Sequence, residues 1–169
     1  MADLTSRHRV QPALLDRLTD DDPSAHTEST DHREFSLARL RDSVRRDLGY
    51  LLNATQLASV VDLGAYPEVE RSTVNFGIPD LAGHPASTVD RPAIVRLIRQ
   101  AILQFEPRLL KQSLKVQMAP SADAPEPNAL RFDIDAELWA QPLPIRLRLR
   151  MDLSLEDGEA EITELSSEG

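Results

Sequence analysis

The chain has 169 residues, 41% hydrophobic, 28% charged and 4% aromatic, with 19 Lys and Arg against 28 Asp and Glu for a formal net charge of −9. That length suits one domain with appended tails and one largely aliphatic core, and the acidic balance argues against nucleic acid or an anionic membrane surface as the main partner. The absence of cysteine excludes a disulfide framework, a thiolate nucleophile and a Cys-based metal site, and it suits a reducing compartment.

From the N-terminus, Met1 to Val10 hold no apolar run suited to a signal peptide, and no later segment approaches the ~18 uninterrupted apolar residues of a membrane span. The expectation is a cytoplasmic protein without membrane insertion. Leu14, Leu15, Arg17 and Leu18 lie in a short apolar patch that stops at Asp20-Asp21-Asp22-Pro23, as a docking segment or a single helical turn would. Residues 23–34 are Ser/Thr/Asp/His-rich without periodicity, the composition of a linker. Residues 1–35 are therefore read as a docking segment followed by a flexible linker.

Ser36 is a plausible N-cap for a helix in which Leu37, Leu40, Val44, Leu48, Leu51 and Leu52 recur at spacings of three and four. Arg39, Arg41, Arg45 and Arg46 are interspersed, either as a surface for an acidic partner or as an ordinary solvated face. Residues 53–90 carry turn signals and room for one helical turn. Asp90 then caps a second helix with Pro92 in its first turn and Ile94, Leu97, Ile98, Ala101, Ile102 and Phe105 on one face; Pro107 ends it at Glu106.

Beyond that point the period changes from 3.6 to 2. Leu114, Val116 and Met118 alternate with polar residues, as do Leu130, Phe132, Ile134, Ala136 and Leu138, and then Leu143 through Leu155. Residues 120–128 read as an exposed Pro-rich loop and Gln141-Pro142 as a tight turn. The predicted architecture is an α+β, two-layer domain over residues 36–155, with two main amphipathic helices packed on a three-stranded antiparallel β-meander. The acidic stretch 156–169 is expected to be a flexible tail.

Signals for chemistry are sparse. His8, His26, His32 and His84 show no metal-ligand spacing, the glycines form no phosphate loop, and serines near histidines occur only in the linker. No metal, cofactor or catalytic residue is assigned, and a non-enzymatic role is expected. One residue breaks a local rule: Glu106 stands at a helix C-terminus, where the macrodipole favours cations, followed by Pro107 and Arg108. That corner is either a proline stop with an incidental salt bridge or a carboxylate and guanidinium aimed at a partner.

The order of motifs resembles the TssE family of baseplate subunits in bacterial type VI secretion systems, related to the lysozyme-like wedge proteins of contractile phage tails. The motifs are Leu14-Leu15-Asp16-Arg17-Leu18, Arg46-Asp47-Leu48, Leu51-Leu52-Asn53, Tyr66-Pro67, Ser72 with Val74-Asn75-Phe76-Gly77-Ile78-Pro79-Asp80, and Phe105-Glu106-Pro107-Arg108-Leu109. The resemblance spans roughly residues 11–155. It implies a structural subunit that joins the baseplate wedge and helps start the contractile sheath, with Glu106, Pro107 and Arg108 attaching it to a helical core formed by TssF and TssG; TssK and the sheath subunits are further candidate partners. The isolated chain is expected to be monomeric.

Two further features fit an assembly protein. A three-stranded meander has open edges that another chain could extend, and Arg146, Arg148 and Arg150 share one face of the third strand, where they either contact a partner or block aggregation. The rival readings are a wedge subunit of a phage tail or phage-derived particle, which gene context would distinguish, and a peptidoglycan hydrolase. Against the hydrolase, no acid sits in a discernible hydrophobic pocket, and Glu106 has a guanidinium two residues away. Truncating Glu106 or Arg108 is expected to spare folding and weaken assembly, whereas Leu97→Ala or Phe132→Ala should cost stability.

Overall fold

A computed structural model describes residues 13–19, 37–83, 85, 89–120, 128–140 and 143–165. The Ser36 cap, the linker at 23–34, all four histidines, residues 121–127 and the Gln141-Pro142 turn lie outside them.

Among the described residues there are four α-helices: α1 (Leu14–Leu18), α2 (Leu37–Leu52), α3 (Pro67–Glu70) and α4 (Arg91–Phe105). Along α2, Leu40, Val44, Leu48, Leu51 and Leu52 are buried as the periodicity predicts, and Ser43 is buried with them. Helix α4 begins as expected, the Asp90 carboxylate accepting the Ala93 N–H at 3.1 Å with Pro92 in the first turn. It ends at Phe105 because Pro107 forces Glu106 out of the α region, to φ −117° and ψ 81°. Its buried face is Ile94, Ile98, Ala101 and Ile102; Leu97 and Phe105 are only half-buried, at the margins of the stripe.

The sheet has four antiparallel strands rather than three, in the order β1 (Lys115–Met118), β2 (Ala129–Leu138), β3 (Ile145–Ser154) and β4 (Ala160–Glu164). Strand β4 falls within the stretch predicted to be a flexible tail. Its inward signal is only Ala160 and Ile162, both buried, too short an alternation to stand out among acidic residues. The β3–β4 turn closes with Gly158 at φ +79°, its N–H donating to the Ser154 carbonyl at 3.1 Å. Strand β3 is also shorter than the alternating run, and Leu143 before it is exposed.

Pairing of Phe132 with Met151, Ile134 with Leu149 and Ala136 with Leu147 places these six side chains on the inner face, where all are buried. Helix α2 packs nearest β4 and α4 nearest β1, and the two helices touch each other. The two-layer α+β arrangement follows from burying three one-sided apolar faces together. Asn53, just past α2, ties the layers: its side-chain amide donates to the Ala160 carbonyl at 2.9 Å and accepts the Ala160 N–H at 2.8 Å, covering one position of the β4 edge.

Between α2 and α4 the chain makes α3 and two 3-10 turns, Leu57–Ser59 and Thr73–Asn75. Buried Asn75 staples them, accepting the Ala58 N–H at 2.8 Å and donating to the Glu70 carbonyl at 3.0 Å. Gly77 adopts φ +126° where the chain passes Ala54; a Cβ there would lie 2.2 Å from the Ala54 carbonyl oxygen. Phe76 beside it meets Phe105 edge-on with ring centres 5.3 Å apart, so this segment supports the end of α4.

Candidate functional site

The turn after α4 is held against the sheet by its backbone. The Trp139 N–H donates to the Arg108 carbonyl at 2.8 Å and the Leu110 N–H to the Glu137 carbonyl at 2.8 Å. This fixes Glu106, Pro107 and Arg108 at the end of the domain where α2 passes. The Glu106 carboxylate points inward: its side chain is 4% exposed, and it accepts the Arg108 Nε–H at 2.8 Å, an Arg108 Nη2–H and the Arg108 backbone N–H at 3.0 Å. The expectation that Glu106 faces a partner is therefore corrected, because burial and a bidentate guanidinium commit it to the fold.

Arg108 carries the network onward. Its Nη2 reaches Asp47 Oδ2 at 2.6 Å and its Nη1 reaches Ser43 Oγ at 3.0 Å. Arg46 bonds Asp47 at 2.8 Å and Asp16 Oδ1 at 2.6 Å, and the Ser43 hydroxyl donates to Asp16 Oδ2 at 2.7 Å. Asp16, Arg46, Asp47, Arg108 and Ser43 thus form a closed ring of side chains from α1, α2 and the Glu-Pro-Arg turn. Burial opposes the Arg108 charge, but the hydrogen bonds and charges of Glu106 and Asp47 outweigh it and raise its pKa above the ordinary value. At Asp16 burial is again the largest single influence, overcome by Ser43 and Arg46, which leave its pKa lowered.

Beside the ring lies an open, mainly apolar groove of about 460 Å³, lined by Leu15, Tyr50, Leu51, Phe76, Phe105 and Pro107 among others. Tyr50 and Leu15 are exposed, as are Leu14 and Leu18 on α1. Trp139 and Leu143, at the β2–β3 connection hydrogen-bonded to the Arg108 backbone, are exposed too. This end of the domain thus presents exposed apolar side chains around the charged ring.

Residues 38–143, more than half of the chain, match the family model for baseplate wedge protein gp25. The chain belongs to this family. TssE proteins belong to the same family, so the resemblance read from the motifs is borne out at that level. No curated protein and no solved structure matches the chain.

As a member of the wedge family, the protein brings together motifs that are far apart in sequence: the Leu14–Leu18 segment, Arg46-Asp47 and Glu106-Pro107-Arg108 meet at one end. Arg17 lies in α1, its side chain outside the described residues. Arg146, Arg148 and Arg150 are elsewhere, on the outer face of β3. Arg146 pairs with Asp135 and Arg150 with Asp133 at 2.9 Å, beside an Arg131–Asp152 pair at 2.6 Å; Arg148 stands across from Asp135. Of the α2 arginines, Arg46 is in the ring and Arg41 reaches Glu164 at 3.2 Å, so a purely solvated face is not what they form.

Sequence reasoning did not single out Asp16, Ser43 and Asp47 as site residues. A signal existed on α2: Ser43, Arg46 and Asp47 have the i, i+3, i+4 spacing of one helix face. Nothing in the spacing linked that face to residue 16 or 108. Among the described residues, no helix is long and apolar enough to cross a membrane.

Proposed function

We propose that this protein is a structural baseplate subunit of a bacterial type VI secretion system, acting in the cytoplasm without catalysis of its own. It joins a wedge with TssF and TssG, with TssK as a further contact, and helps initiate the contractile sheath. The observation that carries this reading is the convergence of the family-like motifs on one rigid charged ring flanked by an apolar groove. A partner helix seated in the groove would cover Tyr50, Leu15 and Pro107 while the ring, already satisfied internally, supplies shape rather than free charge. The open edges of the four-stranded sheet offer backbone groups for strand addition by a sheath subunit.

The burial of Glu106 changes which substitution tests this. Truncating Arg108 would leave a buried carboxylate without its guanidinium and confound folding with binding. Tyr50→Glu instead puts a charge in the groove at an exposed position. The variant should melt within a few degrees of wild type yet fail to co-purify with TssF and TssG; normal co-purification would sink the assignment of this groove. A Glu106-dependent turnover of purified peptidoglycan would overturn the non-catalytic role, and sheath and membrane-complex genes next to this one would separate a secretion system from a phage-derived particle.

A further inference from the structure

Helix α1 is five residues long, too short to be stable alone, and its Leu14 and Leu18 face solvent. Among the described residues, the hydrogen bonds that tie it to α2 are those of Asp16. Its carboxylate accepts hydrogen bonds from the Ser43 hydroxyl at 2.7 Å, an Arg46 guanidinium N–H at 2.6 Å and the Ala13 N–H at 3.2 Å. The direction of the Ser43–Asp16 bond matters. A hydroxyl has one proton and two lone pairs; with the proton given to Asp16, the lone pairs of Ser43 Oγ face Arg108 Nη1 at 3.0 Å and Arg46 Nη2 at 3.5 Å. Without Asp16 a buried helical serine turns its proton to a carbonyl one turn back, and the arginines lose the lone-pair arrangement that receives them.

We propose that Asp16 is a positioning residue for the docking corner: by fixing the Ser43 hydroxyl it makes the seated state of α1 and the geometry of Arg108 one coupled state. Two consequences follow from linkage. A partner that engages the Arg108 corner strengthens the seating of α1, and a partner that draws α1 away by Leu14 and Leu18 loosens Arg108 by the same free energy. Helix α1 is then part of the wedge-docking surface, and this step rests on the wedge reading above only for the identity of the partner.

The test uses the full chain. Trypsin cleavage after Arg17, followed by mass spectrometry and normalised to a reporter peptide, reads how often α1 leaves its seat. Arg108→Lys, which keeps the charge but loses the planar fork, should raise that cleavage rate at least ~5-fold although, among the described residues, the Arg108 side chain bonds Glu106, Asp47 and Ser43 and no residue of α1. Ser43→Ala should do the same, and Ile162→Val, a core change outside the ring, corrects for global opening. In the second arm Asp16→Ala should weaken co-purification with TssF and TssG while melting close to wild type, and Asp16→Glu should recover part of it. Unchanged Arg17 cleavage in Arg108→Lys and Ser43→Ala overturns the coupling. So does an Asp16→Ala protein that cleaves faster but binds as wild type. If the wild type itself binds neither subunit, the wedge reading fails, and the cleavage arm still decides the coupling by itself.

Discussion

Arg108 satisfies two carboxylates and a hydroxyl at once, bonding Glu106, Asp47 and Ser43. The planar guanidinium spreads its donors over three nitrogens and so spans these partners, whereas an ammonium would have to serve them from a single atom. Because Glu106 is 4% exposed on its side chain, removing the guanidinium strands a buried negative charge. Breaking such a pair costs on the order of 3–5 kcal/mol, and partial exposure of Arg108 argues for the lower end. Arg108→Ala is therefore expected to lose ~3 kcal/mol in a urea titration, the reverse of the fold-neutral behaviour its place at a helix stop suggests. A loss below ~1 kcal/mol would mean that water reaches Glu106 and replaces its partner. Gly77 makes a second prediction at this scale. A side chain there would need positive φ and would overlap the Ala54 carbonyl, backbone that cannot swing aside, so Gly77→Ala should cost at least ~3 kcal/mol. A near-neutral variant would show that the Ala54–Gly77 approach is looser than the geometry requires.

Among the elements, those with long one-sided patterns were legible and those with short ones were not. Helix α2 carries its apolar residues over sixteen positions, and β2 alternates over ten, so period alone assigned both. Helix α1 and β4 have five residues each; α1 was readable as an apolar patch, but its role as a support of the Arg108 corner depends on a contact across 30 residues of sequence. Its seating has a pH dependence of definite sign. Asp16 has a lowered pKa in the folded protein, facing Arg46 and Ser43 of α2 and the Ala13 N–H of its own turn. A depressed carboxylate stabilises the folded form above its ordinary value of 3.8, and that contribution disappears as pH falls through the lowered value. The backbone amide resonances of residues 13–19 should thus hold their positions at neutral pH and move toward random-coil values only in acid below about pH 4. Asp16→Asn should abolish the transition; if α1 releases near pH 6 instead, some group other than Asp16 holds it.

For the whole molecule, the division into two layers was fixed by three apolar faces that had to be buried together, and the outer face of the sheet by the alternating Arg and Asp of β2 and β3. That outer face is a set of cross-strand ion pairs, which suits an exposed sheet that must not stack on another. The extent of the domain was not legible, because acidic residues around Ala160 and Ile162 hide a strand inside a tail-like composition. Strand β4 is not ornamental: Ala160 and Ile162 close the core on the α2 side, Asn53 holds Ala160 by two hydrogen bonds, and the Leu165 N–H donates to the Arg148 carbonyl at 2.9 Å. A chain ending at Leu155 would lose all of these and expose β3 as a new edge ten residues long. Such an edge invites pairing between molecules. The truncated protein should melt without cooperativity or aggregate, while Ile162→Ala in the full chain should remain folded and lose about 2–4 kcal/mol. A truncated protein that melts within a few degrees of the full chain would mean that β4 is dispensable to the domain, and that its place beside β3 is free to be taken by a strand from another subunit.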